Sequence, residues 1–272
     1  MRQKLGQHFL NSREKLDAIA NAVHIKENDT IIEIGPGHGE LTSFLVDKVR
    51  NLKHARLFLL ERDAMLIPGL QAKFSLLIAE GRLHIIEGDA LIELPKLVES
   101  KKISGQSYKL IGNIPYYITG FLFRVIEGLA QKPTVSVFTT QKEVAERVSA
   151  GAGEMNLLAS SVQYFADVEM LMTLPKKLFL PPPKVDSAVI RLVTHEKPDI
   201  TPPEFYYPLI KALFKQPRKT ILNNLKTCPS FAKLSETERQ KLFADLDVSG
   251  TARPQHMHIN AIKQLAFVLY NK

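Results

Sequence analysis

Residues 30–40 read T-I-I-E-I-G-P-G-H-G-E, and this stretch decides the fold. Its first six residues form an apolar-rich run typical of a buried strand, and a helical pattern follows over residues 40–49. Three glycines, at positions 35, 37 and 39, lie where strand gives way to helix. Glycine adopts positive φ and lets a ligand approach the backbone closely. Because ligands of open α/β sheets bind at the carboxyl ends of strands, this turn is a candidate cofactor loop; a ligand-free turn is the alternative.

The alternation of short apolar runs with helical patterns continues to about residue 140, which predicts β-α-β units and a mostly parallel sheet. The predicted strands are residues 30–35, 56–61, 83–87, 109–112 and 134–139. The predicted helices are residues 13–23, 40–49, 64–74 and 120–129, the first of them capped by Asn11 or Ser12. Two further strands, at 162–174 and 185–193, are expected to lie antiparallel at the sheet edge. Three prolines at 181–183 predict a rigid extended turn between them.

The pattern changes after residue 194. Helical patterns recur at residues 204–214, 218–225, 236–246 and 258–270. We therefore expect two domains, an α/β domain over residues 1–194 and a small all-helical domain over residues 195–272.

The composition of the 272-residue chain is that of a globular protein, with 45% hydrophobic residues and a formal charge of +8. Residues 181–272 hold 14 Lys and Arg against 8 Asp and Glu, whereas residues 1–180 hold 22 against 20. This asymmetry favours a polyanionic partner, with a solvated basic face as the alternative. No apolar run reaches the length of about 18 residues that a membrane span needs. The single cysteine, Cys228, excludes an internal disulfide and a cysteine-built zinc site, so we expect a cytoplasmic protein without a metal.

The spacing of the glycine loop bears on the type of cofactor. G-x-G-x-G differs from the G-x-G-x-x-G dinucleotide fingerprint, and Pro36 removes a backbone donor that a phosphate would use. The loop therefore favours an uncharged or cationic cofactor over a pyrophosphate. Glu61 and Asp89 end the second and third predicted strands, where they can accept hydrogen bonds from ribose hydroxyls and an adenine amino group. Together with the loop they predict an adenosine site, and solvated acids at strand ends are the alternative.

The fourth predicted strand runs into G-N-I-P-Y-Y at residues 112–117. With the glycine loop and the two acids, this sequence closely resembles class I S-adenosylmethionine-dependent methyltransferases. Within them it resembles the ribosomal RNA adenine dimethyltransferases, which dimethylate adenine in small-subunit RNA. The resemblance covers nearly the whole chain and rests on L-G-Q-H-F-L (5–10), E-I-G-P-G-H-G-E-L-T (33–42), G-N-I-P-Y (112–116), Q-K-E-V-A-E-R (141–147), F-L-P-P-P-K-V-D-S-A-V-I-R-L (179–192) and P-R-K-T-I-L-N-N-L (217–225).

The resemblance implies a Rossmann-like catalytic domain and a mechanism. The exocyclic amine of adenine is a poor nucleophile because its lone pair is delocalised, so it needs preorganised hydrogen-bond acceptors rather than a strong base. The resemblance implies that the Asn113 side chain and the Ile114 carbonyl are these acceptors and that Pro115 fixes the turn. It also implies that Tyr116 stacks on the adenine and that Phe179 closes its other face. A plain turn at 113–116 and a core position for Phe179 are the alternatives.

The resemblance further implies S-adenosylmethionine as the cofactor and small-subunit ribosomal RNA, in an immature subunit, as the substrate. Nothing in the sequence suggests an obligate oligomer, so we expect a monomer. The residues expected to bind the cofactor are His8, Leu10, Gly35, Gly37, Glu61, Asp89 and Asn113. Two places depart from the bacterial pattern: His8, where Asn is more frequent, and E-M-N-L-L-A at 154–159, where a Tyr-Gly pair is usual.

The C-terminal domain carries the predicted RNA contacts. Lys211, Lys215, Arg218 and Lys219 lie within nine residues and are expected to bind RNA phosphates, unless they form a solvated basic surface. The predicted reaction is dimethylation of two adjacent adenines of small-subunit RNA during subunit biogenesis. A methylase of large-subunit RNA of the erythromycin-resistance type and a non-catalytic ribosome-assembly factor of the same fold remain as alternatives.

Overall fold

The computed structural model describes residues 8–100, 102–103, 107–197 and 199–272. Leu5, Gly6 and Gln7 of the predicted N-terminal motif lie outside the described residues. The strands are β1 (Phe9–Leu10), β2 (Thr30–Ile34), β3 (Arg56–Glu61), β4 (Leu83–Glu87), β5 (Tyr108–Asn113), β6 (Val135–Gln141), β7 (Ala166–Leu174), β8 (Phe179–Leu180) and β9 (Ser187–Thr194). The helices are α1 (Arg13–Ala22), α2 (Glu40–Arg50), α3 (Ile67–Lys73), α4 (Ser75–Ala79), α5 (Ala90–Glu99), α6 (Thr119–Gly128), α7 (Lys142–Val148), α8 (Leu157–Gln163), α9 (Pro203–Leu213), α10 (Ile221–Leu225), α11 (Pro229–Ala232), α12 (Glu236–Asp245) and α13 (Ile259–Tyr270).

Seven strands form one sheet in the order β4-β3-β2-β5-β6-β9-β7. The pairs β2·β3, β2·β5, β3·β4 and β5·β6 are parallel, whereas β9 runs antiparallel to β6. The chain moves outward from β2 through β3 to β4, and then returns to the other side of β2 with β5. The direction of winding therefore reverses between β2 and β5, and ligands of such sheets bind in the crevice at that point.

The central strands are buried on both faces, as parallel strands covered by helices must be. Every residue of β2 is buried, including Glu33, which is 1% exposed. The Thr42 hydroxyl at the start of α2 donates a hydrogen bond of 2.7 Å to Glu33 Oε2. Burial outweighs this bond and raises the pKa of the Glu33 carboxyl to about 8.

The sequence predicts most of the long elements, and the short elements β1, α7, α8 and α11 are not among the predictions. Three further differences have a visible local reason. The predicted helix 64–74 is divided at Phe74 into α3 and α4. The predicted strand 162–174 begins four residues too early, because residues 162 and 163 belong to the end of α8, a helix whose first turn is capped by the Asn156 side chain. Helix α5 was not predicted; the Asp89 side chain caps it by accepting from the Leu91 N–H.

The chain divides into two compact units: Met1–Ala145 with Glu169–Thr194, and Glu146–Val168 with His195–Lys272. The sequence analysis assigned residues 146–168 to the first domain, and the structure places them with the C-terminal helices. The reason is packing of aromatic side chains within the second unit. Tyr164 stacks on Tyr206 of α9 at 4.2 Å between ring centroids, and the Tyr206 hydroxyl donates to the Ser160 carbonyl at 3.0 Å. Within the described ranges, no helix is long and apolar enough to cross a membrane.

The buried Glu33 carboxyl predicts how stability depends on pH. Its folded pKa of about 8 lies above the reference value of 4.5, so the folded protein retains a proton that the unfolded chain releases. Unfolding free energy should therefore fall as pH rises through this window, by at most about 1.4 kcal/mol per pH unit from this group. Glu33→Gln should flatten that slope in urea unfolding between pH 5 and pH 8, because glutamine carries no titrating proton.

The matched control is Glu27→Gln, which changes an exposed glutamate and should keep the wild-type slope. Equal slopes in the wild type and in Glu33→Gln would contradict the assignment of a retained proton to Glu33.

Candidate active site

A pocket opens at the carboxyl ends of β2, β3 and β5, where the winding of the sheet reverses. Its lining residues are 8–9, 34–35, 37, 60–62, 88–90 and 113–118. The pocket thus brings together the glycine loop, both strand-end acids and the N-I-P-Y segment, which lie far apart in the sequence.

The glycine loop requires glycine at each of its three positions. Gly35, Gly37 and Gly39 have φ values of 67°, 62° and 80°, which side-chain-bearing residues rarely adopt. At Gly37 a Cβ atom would also lie 2.7 Å from the Phe9 ring. The Gly37 N–H donates to Glu61 Oε2 at 3.1 Å. In a phosphate-binding loop such an N–H would donate to a phosphate oxygen, so here the Glu61 carboxylate takes the place of the phosphate. This bond gives a structural reason for the predicted preference against a pyrophosphate.

Glu61 is fixed by backbone donors at the end of β3. Its Oε2 accepts from Gly37, and its Oε1 accepts from the Asp63 N–H at 2.8 Å. The residue is 3% exposed, and burial raises the pKa of its carboxyl against the opposing effect of these bonds. Each carboxylate oxygen has a second lone pair, so Glu61 can still accept from the hydroxyls of a ligand.

Asp89 has two partners. Its Oδ1 accepts from the Leu91 N–H at 3.0 Å, and its Oδ2 lies 3.3 Å from the guanidinium of Arg62. Arg62 also lines the pocket, and the sequence analysis missed it. The position directly after Glu61 was the only available signal. An amino group that binds Asp89 would use the remaining lone pair of Oδ1 or share Oδ2 with Arg62.

The Asn113 amide is oriented by the N-terminal segment. Its Nδ2 donates to the His8 carbonyl at 2.8 Å, which leaves Oδ1 as the acceptor of the side chain. The next peptide is fixed by the Ile114 N–H, which donates to the Thr139 carbonyl at 3.1 Å. Gly112 permits this packing, because a Cβ atom there would lie 2.5 Å from the Ile34 carbonyl oxygen.

Tyr116 follows Pro115 in a short 3-10 turn, Tyr116–Ile118. Its ring stacks on His8 with 5.8 Å between centroids, and its hydroxyl lies 2.7 Å from the Ser187 hydroxyl. Burial raises the pKa of Tyr116, so the phenol stays protonated. Ser187 is fully buried in β9. It stands in the K-V-D-S-A segment that the sequence analysis quoted without giving it a role.

The triple-proline segment reaches the pocket through His8. The Nδ1 of His8 lies 2.8 Å from the Pro181 carbonyl, which can only accept, so Nδ1 carries the hydrogen. This bond places the start of the proline segment beside the ring that stacks on Tyr116.

Two predicted site residues lie in the core. Leu10 and Phe179 pair across the two-stranded sheet β1·β8, with exposures of 2% and 3%, and both belong to the main hydrophobic cluster. Neither lines the pocket among the described residues. Side chains alternate along a strand, so Phe179 faces the core, whereas Leu180, which is 66% exposed, faces away from it. The ring of Phe179 packs in the core in this structure, and its contact with the adenine stays a prediction.

The four predicted RNA-binding residues are exposed. Lys211 lies on α9, and Lys215, Arg218 and Lys219 lie in the loop before α10. Asn224, 6% exposed, holds this loop. Its Oδ1 accepts from the Gln216 N–H at 3.0 Å, and its Nδ2 donates to backbone carbonyls of the same loop.

The chain matches the family model described as ribosomal RNA adenine dimethylase over residues 1–263. It belongs to the ribosomal RNA adenine dimethylase family. It is 36% identical to ribosomal RNA small subunit methyltransferase A of Pseudomonas aeruginosa, with 97% of this chain and 93% of the relative covered. It is 33% identical to the protein of the same name from Alkaliphilus oremlandii, with 99% and 92% covered.

Two solved structures of full chain coverage agree with the fold. A dimethyladenosine transferase from Plasmodium falciparum superposes with a TM-score of 0.75 at 25% identity, covering 95% of this chain and 96% of its own. The 23S rRNA methyltransferase ErmE superposes with a TM-score of 0.78 at 22% identity, covering 97% and 100%, which shows the shared fold alone. The predicted family and the predicted α/β fold class with an antiparallel edge are confirmed. Members of this family are methyltransferases of ribosomal RNA, so the predicted enzyme class is confirmed as well, and use of a cofactor of the S-adenosylmethionine type follows from it.

The Ser187–Tyr116 hydrogen bond predicts a positioning effect on methyl transfer. Ser187→Ala and Tyr116→Phe each remove the bond, so each should slow single-turnover methyl transfer to RNA by roughly 5-fold, the equivalent of a lost hydrogen bond of about 1 kcal/mol. Because the two changes remove one interaction, the double variant should be no slower than either single variant. Cofactor affinity, measured by calorimetry, should stay within about two-fold of wild type. Multiplicative losses in the double variant would contradict a shared interaction.

Proposed function

We propose that this protein transfers methyl groups from S-adenosylmethionine to the exocyclic amines of two adjacent adenines in small-subunit ribosomal RNA, and that it dimethylates each. The observation that carries the proposal is the Asn113 amide, oriented by the His8 carbonyl at the end of β5 in the pocket that also holds Glu61 and Asp89. The relatives named small subunit methyltransferase A support the choice of RNA.

The pocket fits a nucleoside that carries a cationic sulfur rather than a phosphate. Glu61 would accept from the ribose hydroxyls, Asp89 from the adenine amino group, and the glycine loop would lie against the amino-acid portion. The Glu61 carboxylate accepts a hydrogen bond from the Gly37 N–H. Its negative charge favours a cationic group beside the glycine loop and disfavours a phosphate there. When bound, the cofactor supplies an electrophilic methyl carbon.

The chain's own residues prepare the target amine. The Asn113 Oδ1 and the Ile114 carbonyl would accept the two amine hydrogens, which draws the lone pair out of the ring system and favours a tetrahedral nitrogen. The Tyr116 ring would stack on the base, and Ser187 holds the plane of that ring. An amide oxygen is too weak a base to keep a proton, so the proton of the methylated, cationic nitrogen passes to water.

The second methyl transfer makes a smaller demand on the site. A monomethylated amine has one hydrogen left, so a single acceptor is enough to orient it. The same pair of acceptors therefore serves both transfers, and the product, which has no hydrogen on that nitrogen, has no remaining donor for Asn113.

We also infer that the enzyme works as a monomer on immature small subunits in the cytoplasm. The basic loop held by Asn224 supports an RNA partner, because Lys215, Arg218 and Lys219 are all exposed in it. A base enters such a pocket only when it is unpaired or taken out of its stack, so each target adenine must leave its stacking neighbours before methyl transfer.

The deciding experiment offers immature small subunits and separated small- and large-subunit RNA to the enzyme with tritiated S-adenosylmethionine, followed by nucleoside analysis. The proposal requires label in dimethyladenosine of small-subunit RNA. Label confined to large-subunit RNA would favour the erythromycin-resistance type of activity. Absence of label, from protein that binds the cofactor by calorimetry, would favour a non-catalytic assembly factor.

Asn113→Ala tests the mechanism. The variant loses the acceptor while Pro115 still fixes the turn, so single-turnover methyl transfer at saturating cofactor should fall by roughly 100-fold or more. RNA affinity should barely change, since phosphate contacts dominate it. Asn113→Asp keeps an acceptor at the same place and should retain measurable activity. A near-wild-type rate for Asn113→Ala would refute the acceptor mechanism.

The basic loop predicts a salt effect. If Lys215 and Lys219 each contact a phosphate, replacing both with glutamine should lower the slope of log affinity against log salt by about 1.4 to 1.8. The matched control is Lys233→Gln with Lys241→Gln, which removes two exposed charges of the same unit outside the loop. Identical slopes for both double variants would support a solvated basic surface in place of an RNA contact.

A further inference from the structure

An exposed aromatic and basic stripe borders the pocket on one side. Tyr117 lies in the turn after Tyr116, and Phe121 and Arg124 follow in α6. Tyr117 is 52% exposed and Phe121 is 56% exposed. Tyr117 also lines the pocket, so the stripe begins at the pocket itself.

The burial pattern places these side chains on a common face. Residues 118, 119, 122 and 123 are buried, whereas residues 117, 120, 121 and 124 are exposed. The Arg124 guanidinium lies over the Phe121 ring, 5.7 Å from its centroid. Between the two aromatic positions stands Gly120, where a Cβ atom would meet nothing within 4 Å. The space above Gly120 is therefore open, and no side chain at this position blocks the approach of a flat group.

Folding does not account for this stripe. The buried face of α6 already supplies its core contacts through Leu122, Phe123 and Ile126, which are at most 2% exposed. A single exposed apolar residue is ordinary, but two aromatic rings and a cation in sequence at the rim of a pocket form the kind of surface that binds single-stranded nucleic acid.

We propose that Tyr117, Phe121 and Arg124 form a stacking platform for the nucleotide next to the target adenine. This inference rests on the proposed function. When an adenine moves into the pocket, the neighbouring nucleotide loses the base on which it stacked. An aromatic side chain can stack on that nucleotide instead, whichever base the nucleotide carries. Arg124 completes the platform, because a guanidinium stacks on a ring and pairs with a phosphate at once. That cation also favours a nucleotide over an apolar protein segment as the occupant.

The platform can be tested with a double-mutant cycle that combines one change in the enzyme with one change in the RNA. The enzyme change is Tyr117→Ala with Phe121→Ala. The RNA change is an abasic ribose on one or the other side of the methylated adenine, in small subunits reconstituted with synthetic RNA. On unmodified RNA the double variant should lower kcat/KM by about 5- to 100-fold, the equivalent of one lost base stack. On RNA that is abasic on the stacked side, wild type and variant should be equally slow, because the contact is already absent.

Matched variants separate stacking from other effects. Tyr117→Phe with Phe121→Tyr keeps both rings and should recover most of the kcat/KM that the alanine double variant loses. Leu76→Ala removes an exposed apolar side chain of α4, which does not line the pocket among the described residues, and should be indistinguishable from wild type. Arg124→Gln should lower the salt slope of RNA binding by about 0.7, the value for one phosphate of a single strand.

The outcomes distinguish this inference from the proposed function. A wild-type enzyme that methylates no small-subunit RNA overturns the proposed function. A wild-type enzyme that methylates the RNA while the alanine double variant matches it overturns only the platform. An equal loss on unmodified RNA and on both abasic RNAs also overturns it. If that equal loss appears only when ribosomal proteins are present, the stripe docks a protein.

Discussion

The parallel pairing of β2 with both β3 and β5 is the constraint on which the rest of this structure depends. Parallel strands end at the same edge, so the register that places Ile34 beside Leu60 also places the glycine loop beside Glu61. The register that places Glu33 beside Ile111 places the same loop beside Asn113. The pocket exists because three separate chain segments end together, and the reversal of winding at β2 keeps a helix from covering the gap between them.

The sequence predicted the parts of the fold that depend on local patterns. Strand β3 begins and ends where the apolar run at 56–61 does, and α2 begins at Glu40 directly after the last glycine. Segments whose pattern is ambiguous were missed. Helix α5 contains Pro95, which usually argues against a helix, and its Asp89 cap had been interpreted only as a ligand-binding acid. Val162, Tyr164, Phe165 and Ala166 are apolar or aromatic on both sides of the boundary between α8 and β7, so the sequence pattern does not show where the helix ends.

The candidate site also contains residues that the sequence predicts and residues that it does not. Glu61, Asp89 and Asn113 could be predicted because strand ends are visible in the sequence. Arg62 and Ser187 could not, because their partners are set by tertiary packing: Arg62 pairs with the acid that follows β4 and caps α5, and the Ser187 hydroxyl meets a hydroxyl 71 residues away. The motif around the triple proline predicts Phe179 in the pocket. In the structure, the alternation of side chains along the two-residue strand β8 places its ring in the core. The roles of these residues in binding stay predictions.

The hydrogen bond from Asn113 to the His8 carbonyl joins residues 105 positions apart. The strand that carries Asn113 is stabilised by its neighbours in the sheet, whereas the direction of its amide is set by a segment that the sheet does not include. Catalytic competence and thermodynamic stability are therefore separable properties of this chain. On the proposed role of Asn113, a change near His8 that alters the direction of this amide would slow methyl transfer without unfolding the sheet, so a stability assay alone is a poor screen for loss of function in this protein.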